Sequence, residues 1–157
     1  MCMRERKQTM IKEFRKEYFF LSNFYPVSVE YDRLTYPSSE AAFQAQKTMN
    51  LEIKKRFTKI TPSEAKKLGK NISLRGDWEK VKVKTMYQIC YAKFFQNADL
   101  KKKLIATGNQ ILIEENRWGD TFWGVCNGKG ENHLGKCLMK IREEIKHENN
   151  GLDGGVI

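Results

Sequence analysis

The hydrophobic pattern predicts an α+β domain, mostly helical, with a small antiparallel sheet. Three observations carry that expectation. Apolar residues recur every three or four positions in several stretches that open on capping residues. They alternate with polar residues in one short stretch that ends on a turn signal. The chain has 157 residues, 40% of them hydrophobic, enough to bury one core without disulfide staples. A single domain over residues 1–157 is expected, with both termini frayed.

Residues 1–16 are charged and mostly polar. Tyr18-Phe19-Phe20-Leu21 reads as a strand, and Ser22-Asn23-Phe24-Tyr25-Pro26 as a loop. Val27-Ser28-Val29-Glu30-Tyr31 alternates apolar and polar residues, as a half-buried strand does. Asp32-Arg33 turns it into Leu34-Thr35-Tyr36, and Pro37 blocks further continuation. Ser38 or Ser39 caps a helix from Ser39 to about Asn50, whose first turn holds Glu40, where the helix dipole favours a carboxylate.

Thr61-Pro62-Ser63-Glu64 is a capping box with proline at the first helical position, so a second helix begins there and ends near Gly69. Asp77 caps a long helix from Trp78 to about Gln96, with Val83, Met86, Cys90 and Phe94 along one face. Leu100, Leu104 and Ile105 mark a short helix closed by Gly108, and Ile111-Leu112-Ile113 a short buried strand. A loop rich in glycine, asparagine and tryptophan spans 114–131. Leu134, Leu138, Ile141 and Ile145 mark the last amphipathic helix, and the tail from Asn149 frays.

Lys and Arg total 29 against 19 Asp and Glu, a formal net charge of +10. Such a surplus attracts anions: nucleic acid, an acidic partner, or a small phosphorylated substrate. The runs Lys54-Lys55-Arg56, Lys66-Lys67 and Lys101-Lys102-Lys103 read as solvated helix faces rather than a nucleic-acid footprint. The apolar runs are far shorter than the roughly 20 residues of a spanning helix, and the first residues lack the apolar core of a secretory signal. A cytoplasmic domain with no membrane partner is expected. Cys2, Cys90, Cys126 and Cys137 form no Cys-x-x-Cys pair. Cys126, His133 and Cys137 match known zinc spacings poorly, and Cys137 falls on an apolar helix face, so neither metal nor cofactor is expected.

Two segments depart from ordinary core patterning. Glu40, Phe43, Gln44 and Lys47 share one helical stripe, and a carboxylate, a ring, an amide and an amine make a poor core face. A solvated face with a Glu40–Gln44 contact is the plainer alternative. The second segment, Asn116-Arg117-Trp118-Gly119-Asp120-Thr121-Phe122-Trp123-Gly124, sets Asp120 between two tryptophans able to present faces to a flat ring. Gly128-Lys129-Gly130, just before a helix, offers backbone N–H groups to a phosphate. The plainer alternative here is an ordinary turn with both tryptophans in the core.

Taken in order, these pieces resemble the NADAR (YbiA-like) domain family from about Phe14 to about Arg142. The likeness runs through Leu21-Ser22-Asn23-Phe24-Tyr25-Pro26, Tyr36-Pro37 to Glu40, and Phe43-Gln44-Ala45-Gln46-Lys47. It continues through Arg75 with Asp77-Trp78, Glu114, Asp120 with Trp123-Gly124, and Gly130-Glu131-Asn132-His133-Leu134-Gly135. The resemblance implies an N-glycosidase that cuts the ribosyl C–N bond of phosphorylated ribosylaminopyrimidine intermediates of riboflavin biosynthesis, releasing ribose 5-phosphate. The alternatives are a hydrolase that removes ADP-ribose from guanine, with ADP-ribosylated nucleic acid as partner, and a module that binds ADP-ribose or NAD without turnover. Such a module needs the rings and cations but not both carboxylates.

Carried onto this chain, the resemblance implies Glu40 and Asp120 as the carboxylates that prepare water and protonate the leaving base. Lys47 is either an electrostatic aid or a nucleophile forming a Schiff base. Asn23, Tyr36, Gln44, Arg75, Trp78, Trp123 and Asn132 are the expected substrate contacts, with Arg75 and Lys47 on phosphate and the tryptophans stacking on the base or walling off solvent. Ala41 stands where many relatives carry a polar or aromatic residue and Cys126 where glycine is usual. Both are expected beside the pocket, where they would bear on substrate choice.

Overall fold

In a computed structural model, residues 9–153 of the chain are described. Cys2 and the outermost ends expected to fray lie outside that range. The order is β1 (Met10–Lys12), a 3-10 helix (Lys16–Leu21), β2 (Pro26–Tyr31), β3 (Leu34–Ser38), α1 (Ser39–Ala45) and α2 (Leu51–Arg56). A second 3-10 turn (Phe57–Lys59), α3 (Pro62–Asn71), α4 (Trp78–Gln96), α5 (Ala98–Ala106), β4 (Ile111–Ile113) and α6 (His133–Asp153) follow. This is the α+β, mostly helical fold with a small antiparallel hairpin that the pattern predicts.

The hairpin pairs Val29 with Tyr36 and Tyr31 with Leu34. Asp32 and Arg33 both take positive φ (48° and 71°), the backbone of the tight turn whose twist matches a two-strand ribbon. Pro37 does not end β3, contrary to expectation. The register shifts between Pro26 and Val29, and a two-strand ribbon leaves one edge of each strand unpaired, so an absent N–H is tolerated there. Tyr18 to Leu21 is not a strand. Tyr18 N–H donates to Arg15 O (2.9 Å) and Ser22 N–H to Phe19 O (2.9 Å), closing the backbone locally, while the neighbours Phe20 and Leu21 are both buried.

Ser38 is the cap of α1, its hydroxyl accepting from Ala41 N–H at 3.1 Å. The helix stops at Ala45 rather than near Asn50, and Asn50 instead caps the separate helix α2 through Ile53 N–H (3.2 Å). The capping box of Thr61 and Glu64 opens α3 as expected. Asp77 stands at the start of α4, but its carboxylate binds Arg75 (2.6 and 3.0 Å) and no backbone N–H of the helix. Met86, Cys90 and Phe94 are buried along α4, whereas Val83 stays 36% exposed, at the edge of a groove shared with Cys137 and Lys140 of α6.

Met10–Lys12 pairs in parallel with Ile111–Ile113, a contact absent from the sequence expectations because a single buried residue, Ile11, cannot establish an alternation. The last helix continues through Asn149 to Asp153, where fraying was expected. Helix α4 touches β2, α1, α5 and α6, with Met86, Ile89 and Phe94 in the shared core. Lys93 of α4 is fully buried, and its ammonium donates to Ser22 O at 2.9 Å, tying the 22–25 loop to the helix. Among the described residues no helix is long and apolar enough to cross a membrane.

Candidate active site

Beside the 3-10 helix of Lys16–Leu21, between α1, α3 and the 114–123 loop, lies a cleft of about 480 Å³. Three carboxyl groups line it: Glu40 from α1, and Glu114 and Asp120 from the 114–123 loop. Glu40 arrives on the first turn of α1, its backbone N–H bonded to Asn23 O (3.0 Å). Its Oε1 accepts from Gln44 Nε2 at 2.9 Å, so the expected Glu40–Gln44 contact exists, but as a buried pair inside the cleft rather than on a solvated face.

Burial pushes the Glu40 carboxyl above the usual carboxylate range. The Gln44 hydrogen bond and the charges of Lys66 and Lys47 oppose that rise, and Asp120 adds to it. Glu114 directly follows the buried strand β4. Burial, reinforced by the negative charges of Asp120 and Glu40, raises its carboxyl to about 8 against the pull of Lys66.

Asp120 is held by the loop it belongs to. Its Oδ1 accepts from Phe122 N–H (3.0 Å) and Trp123 N–H (2.9 Å), while the Asn116 amide clasps its backbone from both sides (2.8 and 3.0 Å). A carboxylate pinned through one oxygen keeps the other free for a ligand. Gly69 fixes how α3 packs on α1 behind Gln44. A Cβ there would come within 1.9 Å of Gln44 Oε1, so only glycine lets α3 approach α1 this closely with the Gln44 amide in place. Gln44 Oε1 and Glu114 Oε2 are both buried without a hydrogen-bond partner. Unsaturated buried polar atoms are uncommon, and here two belong to residues that line one cleft.

Rings and cations form the mouth. Phe19, Phe24 and Trp118 are exposed large apolar side chains, Trp118 at 57%, and all three line the cleft with Arg15, Lys16 and Lys66. The Lys66 ammonium lies 5.3 Å from the centre of the Trp118 ring. Lys16 holds a φ of 52°, unusual for a residue with a side chain, and backbone strain of this kind gathers at functional sites.

Of the residues expected at the site, Glu40, Asp120, Asn23, Gln44 and Trp123 line the cleft together. The others stand elsewhere for identifiable reasons. Tyr36 is 1% exposed, and its hydroxyl accepts from Gln46 on the far side of α1. Trp78 is buried behind the wall, tilted against Phe43 (5.1 Å), which in turn meets Trp123 edge-on (5.2 Å). Asn132 accepts from Glu114 N–H (3.0 Å) and donates to Leu112 O (2.9 Å), which fixes the backbone at Glu114, and it does not line the cleft.

Arg75 is engaged by Asp77, and Lys47 falls beyond the end of α1. Neither lines the cleft, although the Lys47 amine feels Glu40's charge, which opposes the lowering that burial imposes on it. Ala41 is in the core and Cys126 bridges to Lys129, so neither borders the cleft as expected.

The glycines before α6 form no phosphate cradle. The N–H groups of Glu131, Asn132, His133 and Leu134 already donate to the carbonyls of Thr121, Gly124, Phe122 and Trp123. Glu114, Lys66, Arg15 and Lys16 were not singled out as site residues. A carboxylate abutting an apolar strand was the available signal for the first. The cations were indistinguishable from surface lysines until the fold set them at one mouth.

Residues 9–146 match the NADAR domain family. The chain is 38% identical over 136 residues to the N-glycosidase YbiA of Shigella boydii, covering 84% of each. It is 37% identical over 137 residues to the N-glycosidase Npun_R5314 of Nostoc punctiforme, covering 83% of this chain and 87% of that one. A riboflavin biosynthesis protein of Vibrio vulnificus is 37% identical over 131 residues, which is 81% of this chain and 35% of that protein. Among solved structures, the NMR structure of the Escherichia coli protein YbiA superposes with a TM-score of 0.82 at 34% identity, over 92% of this chain and 89% of that one.

Proposed function

This chain belongs to the NADAR family, and from that premise we propose that it is an N-glycosidase that hydrolyses the ribosyl C–N bond of a phosphorylated ribosylaminopyrimidine, releasing ribose 5-phosphate. The observation that carries the reading is the meeting of Glu40 and Asp120, eighty positions apart in the chain, in one cleft. Cleavage of this bond builds positive charge at C1′ and negative charge on the departing nitrogen. A carboxylate on the sugar face stabilises the first and takes a proton from attacking water. Glu40 and Asp120 fill these two roles in the proposal. The exposed rings of Phe24 and Trp118 suit a flat base, and Arg15, Lys16 and Lys66 suit the phosphate.

The volume fits one phosphorylated nucleoside-sized ligand. The riboflavin-related name of the Vibrio vulnificus relative supports the pyrimidine assignment. Lys47, outside the lining, acts through its charge on Glu40, so borohydride added during turnover is expected to leave the protein mass unchanged. A trapped sugar adduct would instead make Lys47 a nucleophile. The reading is tested with a panel of ribosylaminopyrimidine phosphates and ADP-ribosylated guanosine, scored by mass spectrometry. Release of ribose 5-phosphate is expected. ADP-ribose release alone would move the activity to the guanine substrate, and binding without release of any base would make the protein a binding module.

A further inference from the structure

We propose that Glu114 is the general acid of this site, donating its proton to the nitrogen of the departing base. The proposal rests on the glycosidase reading and adds to it the identity of the proton donor. Glu114 lines the same cleft as Glu40 and Asp120, and its Oε2 is buried without a partner, so the carboxyl is not consumed by the scaffold.

The backbone that carries it is fixed on both sides. Glu114 N–H donates to Asn132 Oδ1 (3.0 Å), and its carbonyl accepts from Val125 N–H (2.8 Å). Gly124 closes directly over it, since a Cβ there would stand 2.7 Å from Glu114 Oε2 and 2.2 Å from its carbonyl oxygen. Such close contact excludes water from one side of the group. The charged groups that act on it are Asp120 from its own loop, Glu40 from α1 and Lys66 from α3. Two anions and burial outweigh one cation, so the carboxyl keeps its proton at neutral pH, which a donor requires.

The three carboxyl groups then divide the work. Glu114 passes its proton to nitrogen as the C1′–N bond breaks and its electron pair leaves with the base. Water adds its oxygen to C1′ and gives a proton to Glu40 or Asp120. That carboxyl then releases its proton to solvent and Glu114 takes one up, so the cycle closes with water as the only co-reactant. Glu114 and Asp120 share one loop, and the Asn132 clasp fixes the backbone at Glu114, while Glu40 reaches the same cleft from α1.

The decisive experiment compares leaving groups that do and do not need a proton. Glu114→Gln should lower kcat on a ribosylaminopyrimidine 5-phosphate by roughly 10²–10⁴, the usual worth of a general acid. On 4-nitrophenyl ribofuranoside 5-phosphate, whose leaving group departs unprotonated, the loss should stay under about tenfold. The alkaline limb of the wild-type kcat profile should vanish in the variant, and Glu114→Asp should retain part of the activity. Equal losses on both substrates, or none on either, would overturn the assignment while leaving the glycosidase reading intact. A wild-type enzyme that cleaves neither substrate would overturn both. Should the wild-type enzyme refuse only the nitrophenyl compound, the alkaline limb decides alone, and its persistence in Glu114→Gln counts against the proposal.

Discussion

Gln44 and Gln46 are two residues apart at the end of one short helix, both buried, and they do opposite things. The Gln46 amide is saturated: Nε2 donates to Ala42 O (2.9 Å) and Tyr36 Oη (3.4 Å), and Oε1 accepts from Lys54 Nζ (3.0 Å). The Gln44 amide gives one hydrogen bond to Glu40 and leaves Oε1 buried and unpartnered against Gly69 of α3. The rear of α1 is scaffold because its polar groups satisfy one another. The front, where Glu40 and Gln44 line the cleft, keeps polar groups that the scaffold does not fully satisfy. The same contrast explains why Tyr36, which looked like a substrate contact, serves the scaffold instead.

The largest break in this contrast comes from Glu40→Gln. Turnover should fall by roughly 10³ or more while ligand affinity stays within about tenfold, as kcat and Kd measured side by side would show. Next is Gly69→Ala, whose methyl group must displace the Gln44 amide. We expect a loss of about tenfold in kcat/KM with a modest drop in Tm, because the atom that yields is the end of a flexible side chain.

On the scaffold side, Gln46→Ala should lower unfolding free energy by about 1–3 kcal/mol in denaturant titration, leaving kcat/KM within about twofold. Glu114→Gln sharpens the comparison through pH. Its folded carboxyl sits near 8 against an ordinary value of 4.5, so the unfolded chain ionises first and the wild-type protein loses stability as pH climbs between those values. The Tm advantage of the variant should therefore be absent below about pH 4.5, grow through that window and level off above about 8. Smallest of all, Arg75→Ala should leave KM for the phosphorylated substrate nearly unchanged, since its guanidinium is held by Asp77 outside the cleft.

Local chemistry made much of the fold legible. The Thr61–Glu64 box and the Asp32-Arg33 turn follow from residues within a few positions of one another. What escaped were features determined at a distance. The strand at Met10–Lys12 exists only through its pairing with Ile111–Ile113, and the apolar run at Tyr18 to Leu21 became a tight turn with no strand alongside. At the site the pattern repeats. Glu40, Gln44, Asp120 and Trp123 carry local irregularities that a reader can notice, and all line the cleft. Tyr36, Arg75 and Asn132 do not line the cleft, and their partners (Gln46, Asp77 and the Glu114 backbone) cannot be inferred from spacing.

The parallel pairing of β1 with β4 has a consequence for synthesis on the ribosome. A nascent chain that has folded α1 already carries Glu40, yet its cleft has no opposite wall until Asp120 has emerged and the Asn132 clasp has closed on Glu114. Such an incomplete chain is a half-built pocket, closed only when the late segments arrive and the earliest strand has found its place beside them.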